Sequence, residues 1–319
     1  MAKKKASRKK VSAPPKKAAA RKKPSASSKK LSAGGKKVSA SSKKAPARKK
    51  PPARVKKAAK RALCVGINDY PYRDNDLNGC VPDAKAWAAL LRGHYDFAKE
   101  DVKILLDKQA TKAGTLAALK NLLAGARKGD VLVFTNSSHG SYVADTDGDE
   151  EKYDEVICPH DIDDNDIVDD ELRVLFANLP AGVSLTVILD NCFSGTATRA
   201  VVGTPDGRRV RFLSPALRGK PTLRNPWTAK SKSANKYPES GMNEILLSGC
   251  TDKEYSYDAS FGSVNHGALT YYALEAIKKS KYKLTYSELH TRLTSLITDY
   301  PQHPQLEGKE ANKKRQIFT

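Results

Sequence analysis

The first 61 residues contain no aspartate or glutamate, although they carry 25 of the 57 lysines and arginines in this 319-residue chain. The rest of the chain balances 32 basic against 35 acidic residues, so the net charge of +22 belongs to the N-terminal end. This asymmetry predicts two parts, a cationic tail over residues 1–60 and a nearly neutral body over residues 61–319.

Three further features are missing, and each excludes a class of protein. No run approaches the roughly 18 apolar residues of a membrane-spanning helix. The basic N-terminus is not followed by an apolar stretch, so no secretory signal is expected. The five cysteines include no CxxC pair, which argues against a zinc site of that type. Free thiols in a reducing, cytoplasmic compartment are expected instead.

The tail repeats a seven-residue unit within residues 9–44, as KKVSAPP, KKPSASS, KKLSAGG and KKVSASS. The apolar positions of a coiled-coil heptad are absent, and proline and glycine would break a helix, so we expect disorder. In composition the tail resembles those of linker histones. Its expected partner is nucleic acid or another polyanion, bound by phosphate neutralisation. An anionic membrane surface and an inert spacer are the alternatives.

Apolar runs in the body alternate with helical patterns. Strands are predicted over residues 61–68, 101–107, 131–140, 183–192 and 244–250, and helices over 81–93, 115–130, 169–180, 267–279 and 285–300. The last helix begins with a capping box from Thr285 to Glu288. This alternation predicts an α/β fold with a mostly parallel sheet covered on both faces, in which ligands bind at the carboxyl ends of the strands.

Two of these strands run into residues that can carry nucleophilic catalysis. The third leads into His139 and Gly140, and the fourth leads into Cys192. If the strands are neighbours, an imidazole base and a thiol lie at one edge of the sheet, with glycines allowing close approach of backbone N–H donors. Taken singly, the cysteine could be an inert buried thiol and the histidine a turn residue.

Five motifs resemble those of the caspase-like cysteine peptidases, most closely the metacaspase branch. In chain order they are LNGCVPDA (77–84), SSHG (137–140), YDEVICPHD (153–161), IVDDEL (167–172) and DNCFSG (190–195). A later stretch, LSGCTDKEYSYDA, resembles the small-subunit part of the same fold. The histidine and cysteine are 53 residues apart, near the roughly 50 known for caspases. The resemblance implies a three-layer α/β/α fold around a mostly parallel six-stranded sheet.

The resemblance also implies roles for particular residues. His139 would be the general base and acid, Cys192 the nucleophile, and the N–H groups of Gly140 and Cys192 the oxyanion hole. The pocket for the residue before the cleaved bond would consist of Cys80, Asp83, Ser137 and Asp190. Two carboxylates there would select arginine or lysine. Asp83 also has a structural interpretation, as a charge at a helix N-terminus.

Many metacaspases bind calcium, and the resemblance assigns three of the four carboxylate ligands to Asp154, Asp169 and Asp170. The fourth position holds Arg199, a cation that would repel Ca²⁺. Calcium is therefore a doubtful cofactor, and the chemistry itself requires none. The acidic stretch 145–171 could form a shifted calcium site or a solvated surface loop.

Residues 199–241 are basic and rich in proline and glycine, which predicts an exposed loop between a large-subunit-like part (61–198) and a small-subunit-like part (242–319). Such a loop beside an arginine-selective site invites self-cleavage. The candidates are Arg208, Arg209, Arg211 and Arg218. Alternatively, the loop is a lid that is never cut.

The sequence thus predicts a cysteine endopeptidase that cleaves after arginine or lysine in protein or peptide substrates. The alternative is a catalytically idle caspase-like scaffold whose basic tail binds nucleic acid.

Overall fold

The computed structural model describes residues 57–71, 73–144, 153–163, 165–193, 208–218, 239–251 and 254–319. The chain divides into two units, residues 1–54 and 55–319, and all described residues belong to the second. The predictions for the cationic tail therefore lie almost entirely outside the described residues. Within these ranges, no helix is both long and apolar enough to cross a membrane.

The described residues form twelve strands. They are β1 Lys60–Gly66, β2 Val102–Leu106, β3 Val131–Ser137, β4 Gly140–Ala144, β5 Tyr153–Ile157, β6 Ile167–Val168, β7 Ser184–Asp190, β8 Arg209–Val210, β9 Glu244–Ser248, β10 Tyr257–Phe261, β11 Val264–Gly267 and β12 Gln305–Glu307. Six α-helices accompany them. They are α1 Cys80–His94, α2 Lys112–Leu123, α3 Asp169–Ala177, α4 Ala268–Lys279, α5 Tyr286–Leu296 and α6 Glu310–Lys313.

Six strands make the central sheet, in the order β12-β9-β7-β3-β1-β2. All neighbouring pairs are parallel except β12 with β9, which is antiparallel. Two small three-stranded sheets, β4-β5-β6 and β11-β10-β8, lie outside it. In both, every neighbouring pair is antiparallel.

Helices cover both faces of the central sheet. On one face α1, α4 and α5 contribute Trp87, Leu269 and Leu289 to a buried cluster. On the other, α2 and α3 contribute Leu119 and Phe176 to a second. Every residue of β3 and β7 is buried, which explains their nearly continuous apolar sequences. Both strands therefore sit at the centre of a three-layer structure.

The five predicted strands and five predicted helices are present, with one clear error of extent. The second helix was expected to continue to residue 130 with basic residues in its last turn, but α2 ends at Leu123. Gly125 adopts a positive φ of 63°, which ends the helical path. The capping box is confirmed, because the Glu288 N–H donates to the Thr285 hydroxyl and the Thr285 N–H to the Glu288 carboxylate.

The prediction of an exposed loop over residues 199–241 is wrong for its described centre. Arg209 and Val210 form β8, and Arg211 and Leu213 are 0% and 1% exposed. The composition was misleading because these residues bind to the body through their backbone and through a buried ion-pair cluster. Residues 199–207 and 219–238 lie outside the described residues.

Candidate active site

The site lies where β3 and β7 end side by side. The two strands are parallel neighbours, and the register pairs Ser137 with Asp190. His139 and Cys192 each follow two residues later, so both leave the same edge of the sheet. The expectation that these two strands are neighbours is confirmed.

The His139 ring is buried and oriented by a backbone carbonyl. Its Nε2 lies 2.7 Å from the Asn75 carbonyl oxygen, which can only accept, so Nε2 carries the proton. Nδ1 has no hydrogen-bond partner among the described residues, so its lone pair is available to take a proton. Burial lowers the pKa of His139 to about 4, against the opposing effect of the Asn75 carbonyl. Tyr70 supports the residue, since its hydroxyl accepts from the His139 N–H at 3.0 Å.

The Cys192 thiol is buried and has two described polar neighbours. It donates to the Glu254 carbonyl oxygen at 2.8 Å, and its sulfur lies 3.8 Å from that of Cys250. The hydrogen bond from Cys250 to Cys192, together with burial, raises the pKa of the Cys250 thiol well above its ordinary value. Direct contact between Cys192 and His139 stays a prediction.

The backbone N–H groups of Gly140 and Cys192 converge on one oxygen. Both donate to the Arg211 carbonyl, at 2.9 and 3.2 Å. Gly140 has to lack a side chain, because a Cβ there would lie within 3.0 Å of the Cys192 carbonyl. Two N–H donors aimed at one carbonyl oxygen form the arrangement that stabilises an oxyanion in acyl transfer.

The Arg211 side chain fills a buried acidic pocket. Its Nη2 lies 2.7 Å from Asp83 Oδ2 and 3.5 Å from Asp258 Oδ1, and its Nη1 lies 3.2 Å from Asp190 Oδ1. The four side chains are at most 2% exposed. Burial alone lowers the pKa of the guanidinium, but Asp190 and the other nearby acidic groups outweigh it and raise that pKa well above the ordinary value. The cation therefore persists without solvent.

Hydrogen bonds hold the two principal carboxylates in place. Asp190 accepts from the Ser256 hydroxyl at 2.7 Å and from the Thr270 N–H and hydroxyl at 3.0 and 2.7 Å. Asp83 Oδ1 lies 2.7 Å from His266 Nδ1. Burial raises the pKa of Asp83, and Arg211 opposes that shift. These hydrogen bonds hold both carboxylates in position to bind a cation between them.

The other two residues expected in the pocket lie beside it. Cys80 begins α1 and is fully buried, and burial raises the pKa of its thiol well above the ordinary value, with Arg211 opposing. Ser137 ends β3 opposite Asp190. Neither makes a described hydrogen bond to Arg211, so for these two a direct role in binding stays a prediction.

Several contributors to the site were not identified from the sequence. Asp258 adds the third carboxylate, and Asn75 orients the histidine. Ser256, His266 and Thr270 support the two aspartates. The polar stretch EYSYDA carries only a resemblance, because polar residues in short strands give no periodic signal that separates a pocket wall from a surface hairpin.

The residues proposed for calcium do not fit that ion as they are arranged. Among the described residues no group of three or more histidine, cysteine or acidic side chains could hold a metal. Asp169 and Asp170 lie 2.6 and 3.5 Å from the Arg173 guanidinium, a cation where Ca²⁺ would have to bind. Asp154 is buried in β5. Arg199 and residues 145–152 lie outside the described residues.

Comparison with known sequences places this chain in a family. Residues 60–200 match the family profile described as metacaspase, peptidase C14 domain. Metacaspase-1 of Coccidioides immitis is 32% identical over 77% of this chain and 61% of its own length. Metacaspase-1 of Ajellomyces capsulatus is 32% identical over 77% of this chain and 79% of its own. This chain therefore spans less than two thirds of the first relative but most of the second.

Solved structures confirm the predicted fold. A crystal structure of a Geobacter sulfurreducens protein superposes with a TM-score of 0.64 at 29% identity, covering 82% of this chain and 98% of that one. Caspase-1 from Spodoptera frugiperda superposes with a TM-score of 0.52 at 11% identity, covering 79% and 87%, which bears on the fold alone. The fold is the caspase-like α/β/α sandwich. By its sequence relatives, the chain belongs to the metacaspase family of caspase-like cysteine peptidases.

Proposed function

We propose that this enzyme hydrolyses peptide bonds on the carboxyl side of arginine, and more slowly of lysine. One observation carries the proposal. Arg211 has its guanidinium between Asp83 and Asp190 while its carbonyl oxygen accepts from the N–H groups of Gly140 and Cys192. This arrangement supports the proposal, because the residue before a cleaved bond needs a pocket for its side chain and an oxyanion hole for its carbonyl.

The chemistry assigned to the dyad follows from the histidine tautomer. With Nε2–H bound to Asn75, Nδ1 accepts the proton of Cys192, and the thiolate attacks the substrate carbonyl carbon. The oxyanion is stabilised by the two N–H donors, each worth about 3–4 kcal/mol in comparable sites. The imidazolium then protonates the leaving amine. Water hydrolyses the thioester, with His139 again as base.

Selection of arginine follows from the donor geometry of the pocket. Two guanidinium nitrogens contact two separate carboxylates, whereas an ammonium is a single point charge on a more flexible stem. An aspartate at this position would face three carboxylates and be rejected. Lysine has the right charge, but its single ammonium group cannot contact both carboxylates with two separate nitrogens. We therefore expect slower hydrolysis after lysine.

We infer further that the bond between Arg211 and Phe212 is the self-processing site in the 199–241 loop. Of the four arginines considered, Arg211 has its carbonyl between the two N–H donors, which supports it over Arg208 and Arg209. Arg218 lies seven residues further on. A lid that is never cut would make the same contacts, so only time-resolved cleavage separates these alternatives.

The direct test is hydrolysis of fluorogenic arginine, lysine and aspartate peptides by the wild-type chain and by Cys192→Ala. We expect the wild-type chain to release the fluorophore fastest from the arginine peptide, more slowly from the lysine peptide and not detectably from the aspartate peptide. Cys192→Ala should release it only at the background rate. Equal background rates in both chains would remove the peptidase proposal and leave the idle scaffold.

We also propose that residues 1–60 bind nucleic acid through phosphate contacts, on the evidence of their charge alone. Binding of a peptide with this sequence to duplex DNA should weaken about tenfold or more between 50 and 300 mM salt. Affinity that is constant over this range would contradict an electrostatic mechanism.

A further inference from the structure

Residues 208–213 cross the site as an extended segment held along its length. The two residues of β8 pair antiparallel with β10, and the Arg211 N–H donates to the Ser256 carbonyl at 2.9 Å. Beyond Arg211, the Leu213 N–H donates to the Gly140 carbonyl at 2.9 Å. Main-chain bonds of this kind bind any extended peptide, so specificity comes from the side-chain contacts.

Arg208, three residues before Arg211, contacts an aromatic surface. Its guanidinium carbon lies 5.0 Å from the centre of the Tyr300 ring, and its Nη1 donates to the Asp299 carbonyl oxygen at 2.7 Å. The face of an aromatic ring attracts a cation, and a planar guanidinium can stack on it while its N–H groups donate sideways. Both contacts therefore suit arginine better than lysine or an apolar side chain.

The Tyr300 ring is held by other aromatic rings. Tyr257, Phe261 and Tyr272 have ring centres 5.6, 6.0 and 6.5 Å from it. A ring fixed in this way before the substrate arrives loses little conformational entropy on binding. The stacking surface is therefore formed by ring contacts within the folded body, from β10 and α4.

Arg209 contacts a different backbone carbonyl with its guanidinium. Its guanidinium donates to the Asp76 carbonyl oxygen, next to Asn75, whose own carbonyl orients His139. Three arginines within four consecutive residues are thus received by three different parts of the body. Each arginine of the sequence Arg-Arg-Val-Arg (208–211) therefore has its own hydrogen-bond acceptor in the groove, which we define as the surface that contacts residues 208–213.

We propose that the peptidase selects polybasic substrates, and that Tyr300 with the Asp299 carbonyl forms a binding site for a second arginine three residues before the arginine that is cleaved. This inference depends on the proposed function, because it concerns the same groove. The stacked arginine should raise kcat/KM about threefold to tenfold over alanine, the range expected for a partly exposed cation–π contact with one hydrogen bond.

The test compares two coumarin amides, acetyl-Arg-Arg-Val-Arg and acetyl-Ala-Arg-Val-Arg, on the wild-type chain, Tyr300→Phe and Tyr300→Ala. We expect the wild type to prefer the first peptide about threefold to tenfold. Tyr300→Phe should keep the preference because the ring face remains, and Tyr300→Ala should reduce it to about one. Equal rates on the wild type, or an unchanged preference in Tyr300→Ala, would overturn the proposal.

A general loss of activity in Tyr300→Ala is separated from loss of the subsite because only the ratio between the two peptides is scored. A binding assay tests the subsite even if the proposed function is wrong. If neither peptide is hydrolysed, fluorescein-labelled versions are titrated by anisotropy into Cys192→Ala/Arg211→Ala, with and without Tyr300→Ala. A tighter Kd for the tetrapeptide with arginine first, lost with Tyr300→Ala, supports the subsite even without catalysis, and equal Kd values reject it.

Discussion

The carbonyl oxygen of Arg211 accepts a hydrogen bond from the N–H of Cys192 at 3.2 Å, so the chain returns to the backbone of its own proposed nucleophile nineteen residues later. The same residue occupies the acidic pocket. Under the proposed function, any other substrate has to displace this segment or wait until it has been cut. On that proposal, self-processing and access to the site are therefore coupled through one arginine.

Replacement of Arg211 tests that coupling. We expect Arg211→Ala to slow cleavage between residues 211 and 212 about a hundredfold or more, since removing one partner of a buried ion pair costs about 3–5 kcal/mol. Mass spectrometry of the incubated chain measures the fragments. Arg218→Ala, in the same loop, is the matched control and should be processed normally. Unchanged cleavage at this bond in Arg211→Ala would show that the pocket does not select it.

The pocket carboxylates should not be equivalent. Asp83→Asn and Asp190→Asn each remove an ion pair of 2.7 or 3.2 Å, and we expect kcat/KM for an arginine peptide to fall about 10²-fold. Asp258→Asn removes a contact of 3.5 Å and should cost less. Thermal unfolding controls for damage to the fold. Equal losses from all three substitutions would contradict this ranking.

Gly267 borders the pocket so closely that a methyl group should close it. A Cβ there would lie within 3.0 Å of Asp190 Oδ2 and of the Arg211 guanidinium. Gly267→Ala should therefore abolish hydrolysis of arginine peptides while the chain still folds. Gly93→Ala, where an added Cβ meets nothing within 4 Å, is the control and should leave the rate unchanged. Full activity in Gly267→Ala would mean that substrate arginine binds elsewhere.

His139 should make the fold sensitive to acid. Burial lowers its pKa to about 4 in the folded chain, against about 6.5 when unfolded, so the unfolded chain takes up the proton first. Its stabilising contribution is complete above pH 6.5 and is lost as the pH falls towards 4, about 3 kcal/mol in total. Urea unfolding at several pH values should give a smaller loss of stability for His139→Gln than for wild type. If the free energy of unfolding fell equally with pH in wild type and His139→Gln, the lowered pKa of His139 would be contradicted.

The proposed hydrolysis should not depend on calcium. Since Arg173 pairs with Asp169 and Asp170, we expect hydrolysis of an arginine peptide to continue in the presence of a calcium chelator. Rates with added calcium and with chelator measure this directly. Loss of activity that calcium restores would mean that acidic residues outside the described ranges complete a site.

The strands that carry the chemistry could be predicted because long, fully buried parallel strands give nearly continuous apolar runs. His139, Cys192, Asp83 and Asp190 were assigned from the ends of those runs and from motif resemblance. The short antiparallel strands gave no such signal. β10 includes Asp258 and Ser260, and β8 has only two residues. Their pairing depends on partners far away in the sequence.

The sequence by itself determined a cationic tail, an α/β body and the candidate residues for base, nucleophile and pocket. Only the tertiary structure decided which arginine of a basic loop fills the pocket. Arg208, Arg209, Arg211 and Arg218 are chemically identical, so composition cannot rank them. The choice follows from where the backbone N–H groups of Gly140 and Cys192 and the carboxylates of Asp83 and Asp190 converge, and that convergence exists only once the sheet has formed.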